Sequence, residues 1–548
     1  MSVKWLRLAS VLTTAVFAGT MQQVQAGAVA MPDRYSATVA KDIIESGGSA
    51  VDAAIASAFV LAVTYPEAGN LGGGGFMLIH QNGESHFLDY RETAPSRAHR
   101  DMFLDENGNV IERGSLTGGD ASGTPGTVMG MWQAHQRFGK LSWDALLEPA
   151  IELAESGFMV DEHLANEQQL FVNDGFAEGS NFLSYFSGLV AGERFVQQEL
   201  AETLKRIKDH GPSAFYAGQT AQLIVAQMER TGGLISLDDL ASYEAVWRDP
   251  VQIDWLGRTV VTVAPPSSGG IALAQILGMS EVLPLAEQTH NSAQYVHLLS
   301  EIYKQVYADR AKYLGDPDFV EVPVSLLMNR RYINNRAANV NHSEITATDE
   351  VEAGLYESPQ TTHFSIVDND GNAVSNTYTL NWSFGSGNVV EGAGFLMNNE
   401  MDDFSAKPGV PNVFGVIGGD ANAIEPRKRM LSSMTPTIVL GEDGVDAVTG
   451  TPGGSMIITT VAQTLFNHYL FGMSAEEAVS ATRFHHQLYP IDHITSSESL
   501  EPEVNQTLRS LGYTLEETWM GDAQMIVRRG SDYEGGSDPR GRGVALSF

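Results

Sequence analysis

Apolar residues recur at helical spacing through "SATVAKDIIESGG" and "SAVDAAIASAFVLAVTYPEAG", so the stretch from Ala37 to Val63 is expected to form two helices. Ser49 can cap the second, because its hydroxyl can accept one of the N–H groups that a helix start leaves unpaired, and Pro66 ends it. The period then changes. "GNLGGGGFMLIH" runs from glycines into a strand, and "GESHFLDYRETAP" reads as its hairpin partner. Helical spacing dominates from about residue 140 to 245, as in "LSWDALLEPAIELAESG" and "TAQLIVAQMERTGG". "GRTVVTVAPPSSGGIALAQILGMSEVL" reads as strand, rigid turn and helix, and "YVHLLSEIYKQVYADRAKYLGD" as a further helix. A polar, acidic stretch from about Asn339 to Gln360 has little periodicity and is expected to be mobile. After Gln360 the alternation has period two. "TTHFSIVDNDGNAVSNTYTLN" and "LSSMTPTIVLGEDGVDAVTGTPGG" are two hairpins, the second turning at Gly441-Glu442-Asp443-Gly444. Paired strands with helices before and after them point to an α+β chain of stacked sheets and helices.

The hairpins fix neighbours. A turn centred on Asp370 sets Thr361 opposite Thr379, and alternation then puts Thr377, Thr379 and Asn381 on one face. Polar side chains in phase beside a strand's beginning suit a site better than a core. A turn centred between Glu442 and Asp443 sets Ser432 opposite Gly453, so Ser432-Ser433 and Gly453-Gly454 meet at one end of a sheet. Glycines let backbone N–H groups approach a ligand closely, and serines add hydroxyl donors.

Composition narrows the function. Hydrophobic residues are 43% of the 548 and charged ones 18%, an ordinary globular balance. The formal charge of −34 argues against a nucleic-acid partner, since phosphate binding relies on lysine and arginine. Lys4 and Arg7 precede an apolar run, Leu8 to Ala18, and then Val24-Gln25-Ala26, which is the order of a secretory signal peptide cleaved after Ala26. That run is too short for a permanent membrane anchor, and no later stretch is long and apolar enough to be one. With no cysteine, the chain has no disulfide, thiol nucleophile or cysteine-ligated zinc. An exported chain without cysteine fits a bacterial periplasm.

Several motifs are not completed. Gly72 to Gly75 lack the G-x-G-x-x-G or Walker pattern of phosphate binding and suit close packing instead. His485-His486 lack the remainder of a metal set, and there is no G-x-S-x-G elbow. Neither a metal nor a cofactor is expected.

The segments "QTTHFSIVD", "NAVSNTYTLN", "MDDFSAKPGVPN", "LSSMTPTIV" and "GTPGGS" resemble the γ-glutamyltransferase (γ-glutamyltranspeptidase) family of N-terminal-nucleophile hydrolases. So do "NLGGGGFM", "DYRETAP", "ASGTPGT", "PPSSGG" and "YADRAKYLGDPDF", in the family's order from roughly residue 30 onward. The resemblance implies a four-layer αββα fold and a precursor that cuts itself at Gln360–Thr361. The expected parts are a signal peptide over 1–26, a large subunit over 27–360 and a small subunit over 361–548, the last two interleaved as a heterodimer. A freed α-amine, with a reference pKa of about 7.7–8.0, can take the proton of the Thr361 hydroxyl near neutrality. One residue then supplies nucleophile and base. The implied substrates are glutathione and other γ-glutamyl compounds, with water, amino acids or peptides as acceptors.

Roles carry over residue by residue. Thr361 matches the nucleophile, and Thr379 the second threonine that supports it. Gly453 and Gly454 match the oxyanion hole. Arg91, Ser432 and Ser433 match the groups that hold the glutamyl α-carboxylate, while Asn381, Glu400 and Asp403 match those that receive the α-ammonium. Relatives place glutamine or glutamate at the position of Glu400. Asp403 speaks against the related glutaryl acylases, whose substrates have no ammonium. Phe414 stands on the lid where bacterial relatives with this loop usually have tyrosine; it can cover the pocket but cannot donate a hydroxyl to Asn381. A third reading, a periplasmic binding protein that never matures, is disfavoured by the intact Thr361, Thr379 and Gly453-Gly454 set.

Overall fold

The computed structural model describes residues 27–348, 351, 361–407 and 419–548. The expected signal peptide, Gln360 and Phe414 lie outside the described residues. Two antiparallel sheets stack face to face. The first has seven strands in the order Val544–Ser547, Ala28–Met31, Thr362–Val367, Ala373–Thr379, Gly74–Gln81, Glu84–Tyr90 and Val246–Arg248. The second has six, Asp532–Ser537, Gln524–Arg529, Gly444–Gly450, Thr437–Gly441, Arg258–Thr262 and Val251–Trp255.

Alternation along the strands builds the layers. Met77, Ile79, Phe364, Ile366 and Val374 point from the first sheet into a core with the helices Arg34–Glu45 and Ala50–Thr64. Their neighbours Phe76, Leu78, Val367 and Ala373 point the other way, onto the second sheet. The helices Gly269–Ser280 and Met456–Tyr469 pack on that sheet, and Ala293–Tyr313 stacks on the first of them. The order is helix, sheet, sheet, helix. Segments from before and after the stretch 349–360 share both sheets: Ala28–Met31 is paired on one side by Val544–Ser547 and on the other by Thr362–Val367.

The expected helix starts and turns are present. Ser49 caps Ala50–Thr64, accepting from the Asp52 N–H while the Asp52 carboxylate accepts from the Ser49 N–H. The glycine run serves close packing. A Cβ on Gly73 would stand 2.0 Å from the carbonyl oxygen of Thr379, and one on Gly75 2.5 Å from that of Thr377. Only glycine lets Gly74–Gln81 lie this close to the strand that carries Thr379.

The stretch from Asn339, expected to be mobile, is held as far as residue 348. His297 Nε2 lies 3.0 Å from the Asn341 carbonyl oxygen, and Gln294 donates to that of His342. The buried Lys304 donates at 2.8 Å to the Thr346 carbonyl and pairs with Asp492 at 2.9 Å. A polar sequence with no period can still be ordered when buried charges bind its backbone. Residues 349–350 and 352–360 lie outside the described residues. Among the described residues no helix is long and apolar enough to cross a membrane.

Candidate active site

The first hairpin pairs in the expected register, with Tyr378 opposite Thr362 and Thr377 opposite His363, so Thr361 stands beside Thr379 at the strand ends. Alternation does not carry through to Asn381. Asn381 adopts φ +75, a left-handed conformation that asparagine tolerates, and its N–H donates to Thr379 Oγ1 at 2.8 Å. Its side chain donates to the Asn399 carbonyl at 3.0 Å. Thr377 is not part of the site. Its hydroxyl is 2.8 Å from Nδ1 of His363, whose Nε2 meets Ser365 Oγ, and burial pulls that imidazole down to about 3, so it is neutral.

The second hairpin contains a bulge between Val439 and Leu440 that the turn arithmetic did not include. Beyond it Thr437 faces Thr449, a register that points Ser433 rather than Ser432 toward Gly453. The serines and glycines still meet at one sheet end. Ser432 is fixed by the turn before Gly269–Ser280: its N–H donates to the Pro266 carbonyl at 2.9 Å, and its own carbonyl accepts from the N–H and hydroxyl of Ser268, each at 2.7 Å. Gly453 and Gly454 have φ +129 and +56, conformations that L side chains rarely adopt. They lead into the helix Met456–Tyr469, whose positive dipole end adds to the anion affinity of their N–H groups. Among the described residues no hydrogen bond engages either N–H.

Thr361 borders two openings. One, narrow, with about 10 Å³ of room for a water-sized sphere, is lined by Thr361, Thr379, Asn381, Arg91, Glu400 and Asp403, together with Ser432, Ser433 and Gly454. Residues scattered from Arg91 to Gly454 therefore converge on one pocket; Gly453 stands beside it, and Met434 and Ile457 give it an apolar side. The other opening, larger at about 300 Å³ on the same measure and open to solvent, has Tyr65, Glu67, Trp382 and Trp519 on its wall besides Thr361.

The charges of the small pocket sit on one another. Arg91 is fully buried, and its guanidinium donates to Glu400 Oε1 and Asp403 Oδ2, with Glu92 3.8 Å away. Burial alone would lower the Arg91 pKa, but Glu400, Asp403 and Glu92 hold it above its ordinary value. Burial pushes the Glu400 carboxyl well up, with Arg91 pulling it back. Glu400 Oε2 is buried and has no hydrogen-bond partner among the described residues. One cation among three carboxylates, with an acceptor oxygen unspent, can exchange these internal contacts for a zwitterion. The guest's carboxylate would take the guanidinium, and its ammonium would take Glu400 and Asp403.

Arg310 lies in "YADRAKYLGD", and the family motifs give it no role. This arginine is 2% exposed in the buried helix Ala293–Tyr313, and it donates to Ser433 Oγ at 3.1 Å and Ser268 Oγ at 2.9 Å. Burial lowers it to about 10, which leaves it charged near neutrality. A serine oxygen that accepts from a guanidinium keeps its own O–H to donate. The signal was a charged residue inside an otherwise buried helix. His485 and His486 are buried and engaged with Thr459, Gln487 and the His493 carbonyl.

The Gamma-glutamyltranspeptidase family model matches residues 36–548. The glutathione hydrolase proenzyme of Pseudomonas aeruginosa is 56% identical over 543 residues, covering 97% of this chain and 96% of that one. That of Escherichia coli K12 is 45% identical over 524 residues, covering 94% and 90%. Among solved structures, the gamma-glutamyltranspeptidase from Pseudomonas nitroreducens complexed with L-DON matches with a TM-score of 0.58 at 54% identity, over 59% of this chain and 97% of that one.

Proposed function

The chain belongs to the gamma-glutamyltranspeptidase family, and from that premise we infer a self-processing γ-glutamyltransferase and glutathione hydrolase whose nucleophile is Thr361. The observation that carries the assignment to Thr361 is its position at the head of the strand Thr362–Val367, between a charged pocket shaped for a zwitterion and a larger cleft.

Maturation begins when the Thr361 hydroxyl attacks the carbonyl carbon of Gln360. The peptide C–N bond breaks and the nitrogen leaves as the Thr361 α-amine, carrying the hydroxyl proton; water then hydrolyses the ester and frees the Gln360 carboxylate. The products are residues 27–360 and 361–548, which stay together as a heterodimer because each contributes strands to both sheets.

In turnover Arg91, Ser432 and Ser433 hold the α-carboxylate of the γ-glutamyl donor, and Asn381, Glu400 and Asp403 receive its ammonium. Thr361 Oγ attacks the γ-carbonyl carbon while its α-amine takes the proton and Thr379 supports the pair. The Gly453 and Gly454 N–H groups bind the oxyanion, where one lost donor costs on the order of 100–1000-fold in rate. The C–N bond then breaks with the proton passed to the leaving amine. Water or an acceptor amine releases the γ-glutamyl ester. Export to the periplasm completes the reading, supported by the leader over 1–26 and the lack of cysteine.

Two fragments on a denaturing gel, the smaller beginning Thr-Thr-His-Phe by N-terminal sequencing, are the expected result; a single chain in active protein would refute it. Arg310 is a positioning residue in this scheme. Arg310→Lys keeps a charge but cannot bridge Ser268 and Ser433. Steady-state kinetics with γ-glutamyl-p-nitroanilide should show KM raised about tenfold, the worth of one charge-assisted hydrogen bond, with kcat much less affected. An unchanged KM would remove Arg310 from the site.

A further inference from the structure

The larger cleft has a wall chemistry that the γ-glutamyl head does not use. Its lining includes the carboxylates of Glu67, Glu167 and Asp174 and, among the described residues, neither lysine nor arginine. Glu67 is the deepest of them, 4% exposed. Its Oε1 accepts from Arg542 at 2.5 Å, but its Oε2 is buried with no hydrogen-bond partner among the described residues. A desolvated carboxylate oxygen at the wall of an open cleft recovers its lost hydration when a ligand donates to it.

Among the described residues no cation on the wall compensates. Arg542 is taken up by Glu67 and by Asp161 at 2.8 Å, and its guanidinium lies 4.3 Å from the centre of the Tyr65 ring. His163, on the wall, is pushed down by burial and then by Arg542, so it is neutral near pH 7. Glu167 receives a hydrogen bond from the Ser383 hydroxyl at 3.2 Å. Trp382 and Trp519 add aromatic surface of the kind that favours cations. Thr361 shares this wall, so whatever occupies the cleft abuts the γ-glutamyl ester.

We propose that the cleft selects acceptor amines bearing a second positive charge, such as diamines and basic amino acids or dipeptides, with Glu67 Oε2 receiving the distal ammonium. The proposal rests on Thr361 being the esterified nucleophile. The acceptor's neutral amine attacks the ester carbon; the new C–N bond forms as the bond to Thr361 Oγ breaks, and the proton lost by the amine passes through the Thr361 α-amine to that oxygen. The distal ammonium is unchanged. An acceptor ending in a carboxylate instead meets the carboxylates of Glu167 and Asp174, with Glu67 already paired to Arg542 and pushed up to about 7 by burial.

The test uses the mature enzyme, γ-glutamyl-p-nitroanilide as donor, and the C-terminal amides of glycyl-lysine, glycyl-glutamine and glycyl-glutamate as acceptors, with transfer products measured by chromatography. At low salt kcat/KM for the acceptor should fall in that order, with about tenfold or more between the extremes, and 1 M salt should compress the spread. Glu67→Gln should cut the lysine-to-glutamate ratio several-fold. If that variant does not mature, Glu167→Gln at the half-buried rim should cut it by a smaller factor. Equal rates for the three acceptors with the unaltered enzyme, or an unchanged ratio in the variants, would overturn the proposal. Nitroaniline release without any acceptor would then show that the Thr361 reading survives; no release under any condition would overturn both.

Discussion

Thr361→Ala is expected to yield one uncut polypeptide with no measurable release of nitroaniline from γ-glutamyl-p-nitroanilide. The substitution removes a hydroxyl and a methyl from a small, nearly buried residue at a strand head, so the two sheets should still form. Under the proposed function it deletes the atom that attacks the Gln360 carbonyl in maturation and the donor's γ-carbonyl in turnover. Without cleavage the α-amine stays an amide, which is not a base, so nucleophile and base are lost together. Removing such a unit elsewhere costs on the order of 10⁴–10⁶-fold in kcat. Thr361→Ser is the control: it keeps a hydroxyl and should mature, more slowly, to a Ser-Thr-His-Phe N-terminus. Gel, sequencing and rate separate the cases. Cleavage or activity persisting in Thr361→Ala would end the assignment.

Asp403→Asn is expected to lower kcat/KM for the γ-glutamyl donor by about 100–1000-fold, because one partner of a buried charge cluster is removed and the substrate ammonium loses its anion. The amide keeps the shape and can still accept a hydrogen bond, so the loss reports charge. A glutaryl anilide, identical except for the missing α-ammonium, separates two explanations. If Asp403 reads the ammonium, the variant's losses fall mainly on the γ-glutamyl donor and its preference over the glutaryl one narrows. If Asp403 acts only by holding Arg91, both donors lose equally. The same pair of substrates tests Arg91→Lys, where the loss should be shared, because both donors present a carboxylate end and lysine lacks the fork that binds it bidentately.

Much of this site was legible because its parts are local. Thr361 and Thr379 belong to one hairpin with a tight turn at Asp370, and a turn fixes its register residue by residue. Ser432-Ser433 and Gly453-Gly454 flank a second hairpin, and even an unforeseen bulge moved their register by only one position. Motif resemblance named Arg91, Glu400 and Asp403. It did not show that they bind one another, or that Thr377 serves His363.

What the sequence determined alone is the period-two hairpin that aligns Thr361 with Thr379, the helix caps and turns, and the family's set of polar residues. What only the tertiary structure decided is how distant segments meet: Arg310 against Ser433, the charge cluster around Arg91, and the Glu67–Arg542 pair that leaves one carboxylate oxygen unspent beside a second cleft. The physical reason is range. Backbone hydrogen bonding and side-chain alternation act over a few residues and can be read from local order. Burial and charge pairing join residues hundreds of positions apart, and their outcome depends on which groups the packed layers bring together and which they leave unpaired.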